Sequence, residues 1–334
     1  MFLHIVGARP QYMKLAPLVR EFDRRGLNFD VLHTGQHYDD SMSSDFFTEL
    51  NIKPPKFQFN NNNKSYPKMI SDMVSDISSV IDNYTDVIVY GDTLTTLAGA
   101  LSTVFNDKKL HHIEAGLRSK NLNMPEEKIR RLVDEASNYL YCLTQRDKDN
   151  LGHVGGKVHV VGDLMYESFL AQDVVNIDKS GYIFVTIHRE ENTRKKELTS
   201  IVRQLNKLSR RRKIIFPMHP RTASCVKKYG LQLEFEHLNE ISYGEALSYI
   251  KGSDCVISDS GGVPKEAYWL GKKSVVVLKG LIYPVLEEKR YNVRSDYDKI
   301  LDNLDVLEKL PEIDDFSLFG DGKTSKKIVD ILDD

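Results

Sequence analysis

Three carboxylates, Asp92, Glu114 and Glu126, stand in or just after segments that follow apolar, strand-like runs. Gathered on one rim they repel one another, and burial beside a phosphate lifts at least one of them towards the pH range useful for proton transfer. Each also has a structural use to be weighed. Asp92 is placed to cap a helix starting near Leu94, and Glu126 to do the same for a helix running to Ala136. Glu114, wedged between a strand and a glycine, has less structural excuse.

A second constellation is CVISDSGGVPKE, Cys255 to Glu266, which reads as a buried strand, a glycine-paired turn and a helix entrance. Backbone N–H groups left unpaired at such an entrance, together with the positive end of the helix dipole, favour an anion near Ser260, Gly261 and Gly262. Two glycines let a diphosphate approach the main chain closely. Pro264 fits the first helical turn, and Glu266 beside a phosphate site points to ribose hydroxyls. An ordinary glycine-capped turn is the plainer alternative. His188 followed by Arg189 offers an imidazole for hydrogen bonding or proton shuttling and a guanidinium for bidentate phosphate binding. His219 before Pro220, Arg9 and Lys14 add further polar groups, against which stand a satisfied strand-end histidine and a solvated lysine. Arg118 follows Glu114 in the same loop.

Elements that position these residues are visible as alternation. Apolar runs at Phe2 to Val6, Phe29 to His33, Asp86 to Tyr90, Leu110 to Ile113, Tyr139 to Cys142 and Val158 to Val161 are separated by helical patterns, which predicts a parallel, doubly wound α/β sheet. Met69, Met73, Ile77, Val80, Ile81 and Tyr84 recur at helical spacing and form one core face. A polar stretch around Gln172 to Gly181 breaks the rhythm. It restarts at Tyr182 to Thr186, Lys213 to Phe216, Cys255 to Ser258 and Ser274 to Leu278, predicting a second domain of the same class. Ligands of open α/β sheets bind outside the carboxyl ends of the strands, and there the ionisable residues crowd in both halves. The expectation is two Rossmann-like domains, residues 1–170 and 181–320, facing across a cleft.

Composition narrows the function further. With 334 residues, 46 Lys and Arg against 48 Asp and Glu, and a net charge of -2, the chain has no basic excess for nucleic acid or a membrane surface. Arg210 to Lys213 is a solvated helix end. No Gly-x-Gly-x-x-Gly follows the first strand, no Walker sequence occurs and no metal-ligand spacing is present, so no redox cofactor, P-loop or metal is expected. The adjacent His111 and His112 point to opposite faces of a strand and make poor joint ligands. Cys142, Cys225 and Cys255 are isolated, two of them in apolar strand patterns, as expected of buried thiols in a reducing compartment. The N-terminus enters a strand at once without an export signal, and a cytoplasmic location is expected. Asn60 to Asn63 reads as a surface loop.

Taken in order, GARPQYMK, HTGQHYD, YGDTLTTLAG, HIEAGLRS, MPEE, TIHREENT, PMHPRT and SDSGGVPKEA resemble the non-hydrolysing UDP-N-acetylglucosamine 2-epimerase family over nearly the whole chain. The resemblance implies a GT-B-like pair of Rossmann-type domains with a UDP-sugar substrate between them. It also implies a closing helix at residues 321–334 that returns to the first domain, and a homodimer is expected. It implies cofactor-free removal of the C2 proton with loss of UDP from C1, a glycal-type intermediate and re-addition of UDP. On this basis Asp92, Glu114, Glu126 and His188 serve as acid/base and leaving-group residues. Arg9, Lys14, Arg118, Arg189, His219, Ser260, Gly261, Gly262 and Glu266 hold the UDP-sugar. One departure stands out: the family's polar Arg-Asp-x-Thr-Glu stretch is replaced by Leu278-Lys279-Gly280-Leu281-Ile282-Tyr283. ARPQ, TGQHYD, HPRT and SGGVxKEA also resemble the branch acting on UDP-2,3-diacetamido-2,3-dideoxy-glucuronate. A UDP-sugar-dependent glycosyltransferase and a non-catalytic nucleotide-sugar binder are the competing classes, the first needing an acceptor and leaving C2 untouched.

Overall fold

The computed structural model describes residues 1–36, 47, 50–61, 65–119, 121–177, 180–278 and 283–333. Part of the TGQHYD segment from His37 onward, Asn62 and Asn63, and residues 279–282 of the departing run lie outside them. The chain divides into unit 1, Met1–Ala171 with Ser317–Asp334, and unit 2, Gln172–Phe316.

Unit 1 runs β1 (Phe2–Val6), α1 (Arg9–Arg25), β2 (Phe29–His33), β3 (Phe57–Gln58), α2 (Tyr66–Ser78), β4 (Asp86–Tyr90), α3 (Leu94–Phe105), β5 (Lys109–Ala115), α4 (Pro125–Ala136), β6 (Tyr139–Cys142), α5 (Gln145–Asp149), β7 (Lys157–Val160) and α6 (Leu164–Leu170). Its strands are parallel in the order β3-β2-β1-β4-β5-β6-β7. The order reverses between β1 and β4. A crevice therefore opens at their carboxyl ends, where Arg9 and Asp92 emerge.

Unit 2 runs β8 (Tyr182–Thr186), α7 (Lys195–Ser209), β9 (Lys213–Pro217), α8 (Pro220–Tyr229), β10 (His237–Leu238), α9 (Tyr243–Gly252), β11 (Cys255–Ser258), α10 (Val263–Trp269), β12 (Ser274–Val276), α11 (Pro284–Glu288), β13 (Asn292–Arg294) and α12 (Ile300–Leu307). The parallel order β10-β9-β8-β11-β12-β13 places its own reversal between β8 and β11, whose loops carry His188 and Ser260. The last helix, α13 (Thr324–Asp333), is part of unit 1, and Asp330 on it pairs with Arg25 of α1.

The alternating strands of unit 1 bury two different faces. Leu3, Ile5, Val87, Val89 and Leu110 pack with Met69, Met73, Ile77, Ile81 and Tyr84 in one apolar core, with Val80 partly buried against it. The helix carrying that stripe ends at Ser78, and a single tight turn at Ile81–Asn83 continues it. The opposite face carries polar rings instead. His4 Nδ1 lies 2.6 Å from the Tyr90 hydroxyl, and His111 bonds both Tyr141 and Asp86 while stacking on Tyr139 at 4.6 Å.

Burial first, and the neighbouring His111 second, push His4 down from 6.5 to about 3. The folded chain thus keeps His4 neutral, whereas the unfolded chain takes up a proton as pH falls below 6.5. Stability due to the neutral ring is full above that pH and is lost progressively towards pH 3, at up to about 1.4 kcal/mol per pH unit. Denaturant unfolding between pH 7 and 4 should show a shallower acid loss in His4→Phe than in the parent. Identical slopes would contradict this assignment.

Three strands were not foreseen: β3, β10 and β13 have two or three residues each, too few for an apolar period to register.

Candidate active site

Glu114 sits at a kink in β5. The pairing of β5 with β6 shifts register between Ile113 and Ala115, and Glu114 itself adopts φ 71°, a left-handed conformation that disfavours any side chain. The bulge turns its carboxylate out of the strand's alternation and onto Lys14, with which it forms a close, buried ion pair. Lys14, on α1, is 8% exposed, so the solvated alternative does not hold. Both charged groups lie against Gly91, where an added Cβ would stand 3.4 Å from each. Gly91 adopts φ 69° and opens the turn that carries Asp92.

Asp92 does not cap its helix. Thr93 does, accepting from the Thr96 N–H, while Asp92 makes a close ion pair with Arg130 of α4. Glu126 occupies the first turn of α4 without a side-chain cap bond, is half-buried, and makes no ion pair or hydrogen bond among the described residues. Its neighbour Glu127 is the structural acid, accepting from the Ser119 N–H and Arg131. Gln11 ties the loops together, accepting from the N–H groups of Gly7 and Ala8 and donating to the Tyr90 carbonyl. Arg9 is exposed at the start of α1, and Arg118 is paired with Asp134.

In unit 2 the organising group is Asp259, fully buried at the end of β11. It accepts from the N–H groups of His188 and Arg189 at 2.9 Å and from the Asn192 amide at 3.1 Å. Its Oδ1 also lies 3.2 Å from His188 Nδ1, which orients the ring. Burial lowers the pKa of His188; Asp259 opposes this, and His219, Arg189 and Arg221 reinforce it. His219 stands 5.7 Å from His188, ring to ring, and caps α8 by accepting from the Arg221 N–H.

The turn after β11 corrects one expectation. Its N–H groups are not all open, because Ser260 N–H donates to Ser258 Oγ and the N–H groups of Gly262 and Val263 reach Ser260 Oγ at 3.2 and 3.4 Å. Among the described residues only the Gly261 N–H of this turn is left without a partner. The other three are held by the Ser258 and Ser260 hydroxyls, which can rotate, so the turn keeps its capacity for an anion. Glu266 is buried with Oε1 against Gly262. Burial pushes its carboxyl up to about 7, although the Tyr243 hydrogen bond and the Lys265 charge pull it down. Lys265 is itself fully buried, its ammonium 4.3 Å from the Tyr283 ring at the end of the departing run.

A profile described as UDP-N-acetylglucosamine 2-epimerase matches residues 20–333. The chain belongs to that family. Its members are isomerases of nucleotide sugars. A UDP-N-acetylglucosamine 2-epimerase homolog of Methanococcus maripaludis is 37% identical, with 98% of each chain covered. The UDP-2,3-diacetamido-2,3-dideoxy-D-glucuronate 2-epimerase of Pseudomonas aeruginosa is 36% identical, covering 99% of this chain and 98% of its own. The crystal structure of the Methanocaldococcus jannaschii UDP-GlcNAc 2-epimerase with UDP-GlcNAc and UDP is similar in fold, with a TM-score of 0.88, 29% identity and coverage of 100% and 99%.

Within this epimerase fold, Gln11, Arg130, Asp134, Tyr243 and Asp259 were not anticipated as site residues. Two had a visible signal: Asp259 and Gln11 lie inside SDSGG and GARPQ, each at a strand end. Glu127, Arg130 and Asp134 recur at helical spacing alongside the apolar Ile129 and Val133, a charged stripe on a buried face.

Proposed function

We propose that this protein epimerises C2 of UDP-N-acetylglucosamine, giving UDP-N-acetylmannosamine. The observation that carries the reading is Glu114, turned out of its strand by a bulge and paired with Lys14 next to the Asp92 turn. Backbone strain of this kind is kept where it aims a reactive group. A carboxylate of the Asp92, Glu114 and Glu126 set takes the C2 proton while the C1–O bond to UDP breaks, leaving a C1–C2 double bond. A second acid of the set returns a proton to the opposite face as the UDP oxygen re-forms its bond at C1. Two acids are needed because the two faces of one carbon exchange hydrogen. In unit 2, Ser260, Gly261, Gly262, Glu266, His219 and Arg189 hold UDP, and His188 supports the departing diphosphate.

Nuclear magnetic resonance of UDP-N-acetylglucosamine mixed with the protein alone tests this directly. UDP-N-acetylmannosamine should accumulate to equilibrium without any acceptor, whereas a glycosyltransferase would leave the sugar unchanged until an acceptor is added. The diacetamido uronate is the second reading, favoured by the 36% identity to the Pseudomonas aeruginosa enzyme against 37% to the Methanococcus maripaludis protein. A homodimer and a cytoplasmic location remain part of this proposal. Among the described residues no helix is long and apolar enough to cross a membrane.

Glu266 provides a pH signature. Ionised, it accepts from two ribose hydroxyls; protonated, it accepts less well, so UDP affinity should fall as pH drops through 7. For the empty protein the sign is opposite. A carboxyl raised from 4.5 to about 7 stabilises the fold at pH 4.5 and below, and that contribution is lost as pH rises through 7. UDP titration calorimetry at pH 6, in two buffers of different ionisation heat, should show more proton release from the parent than from Glu266→Gln. Equal release from both would remove Glu266 from the ribose site.

A further inference from the structure

Behind the candidate acids of unit 1 lies a buried charge network. Asp134 of α4 is fully buried, and its Oδ1 accepts from His112 Nδ1 at 2.7 Å. The backbone N–H of Gly116 points at both its oxygens, at 3.3 and 3.4 Å. These contacts fall two residues before and two residues after Glu114, gripping both flanks of the bulge. Gly116 must be glycine, since at φ 81° an added Cβ would stand 2.2 Å from the Asp147 carbonyl.

Arg118 Nη1 closes the other side of the carboxylate at 2.6 Å. His112 reaches further still: its Nε2 lies 2.8 Å from the carbonyl of Gly91, in the peptide that leads into Asp92. Burial pushes the Asp134 carboxyl up, but the hydrogen bond and charge of His112, with Arg118, outweigh burial and hold it below its ordinary value. His112 is thus bracketed by two oxygen acceptors, the Asp134 carboxylate at Nδ1 and the Gly91 carbonyl at Nε2. A desolvated ion network is a poor source of stability, because apolar groups of equal volume would fill the space as well or better. It does supply direction, since each bond has one donor, one acceptor and a fixed angle.

We propose that His112, Asp134 and Arg118 form a positioning clamp that fixes the Glu114 bulge and the Gly91–Asp92 peptide relative to one another, so that two carboxylates address the same sugar carbon. The inference rests on the epimerase reading and deepens it. It gives Arg118 a role other than the substrate contact expected from the sequence. His112 and Asp134 are positioning residues in this account and touch no substrate. Released from the clamp, Glu114 relaxes towards extended strand geometry, which carries its side chain off the Gly91 turn.

The test uses the full chain as Arg118→Met, Arg118→Lys and His112→Gln, with C2 hydrogen exchange of the UDP-sugar in deuterated water, UDP affinity and melting temperature measured for each. Turnover should fall about a hundredfold in Arg118→Met and His112→Gln, the scale of a small misplacement of reacting groups, while KM and UDP affinity stay within about threefold. Arg118→Lys should recover most of the rate. Should His112→Gln fail to fold, Arg118→Met decides, since Arg118 lies at the rim of the network with 15% of its side chain exposed. Exchange at the parental rate in folded variants would overturn the clamp, and so would UDP affinity falling in parallel with rate. A parent that exchanges no UDP-sugar would overturn the epimerase reading itself.

Discussion

Replacing Glu114 with Gln should lower C2 hydrogen exchange by about a thousandfold, within the range of roughly 10²–10⁴ that one general acid/base contributes, and leave UDP affinity largely intact. The amide keeps the size of the carboxylate and can still accept from Lys14, so the bulge and the buried pair retain their geometry. What it loses is the ability to take a proton. UDP is assigned to groups of unit 2, which this substitution does not touch. The measurement is a pair: exchange rate at saturating UDP-sugar, and UDP affinity by titration. Equal loss of both would reassign Glu114 to binding or folding. The variant should also lower the melting temperature, since the buried Lys14 ammonium keeps a hydrogen bond but loses its counter-charge.

Asp259→Ala should produce the largest loss of stability, roughly 3–5 kcal/mol, confined to unit 2. The carboxylate is fully buried and accepts from two backbone N–H groups and one amide while pairing with His188. Alanine leaves the loop N–H groups of His188 and Arg189 short of an acceptor in a region that water reaches poorly. Asn192 keeps its second bond, to the Val277 carbonyl, so the loop is loosened rather than erased. In calorimetry the transition of unit 2 should drop by roughly 10 °C, the shift expected for a few kcal/mol in a unit of this size. Tight UDP binding should be lost as His188 and Arg189 drift. A change below about 1 kcal/mol would mean that the loop is held by other contacts and that Asp259 is not its organiser.

Much of this architecture was legible because strands buried on both faces announce themselves as apolar runs, and ligand groups in such sheets must follow those runs. Glu114 and His188 could be picked out by position alone, whereas position favoured a solvated Lys14, which the structure buries. The partnerships could not. Glu114 pairs with Lys14 across 100 residues of chain, and Asp92 with Arg130 across 38, distances over which spacing carries no signal. A positive φ at Glu114 was equally invisible, since glutamate has no preference for the left-handed region. Asp92 and Glu126 each had the residue type and place of a helix cap, but Thr93 caps the helix after Asp92, and the helix carrying Glu126 has no side-chain cap bond. Serine hydroxyls satisfying the turn after β11 were concealed for a related reason: Ser258 reads as an ordinary strand residue until its side chain is seen to turn back on the Ser260 N–H.

The central claim is that hydrogen is exchanged at a single sugar carbon, and incubation of the protein in deuterated water with UDP-N-acetylglucosamine, and separately with the diacetamido uronate, reads it most directly. One of the two should acquire deuterium at C2, in the returned substrate as well as in its epimer. Tight UDP binding with no deuterium at C2 of either sugar would contradict the account.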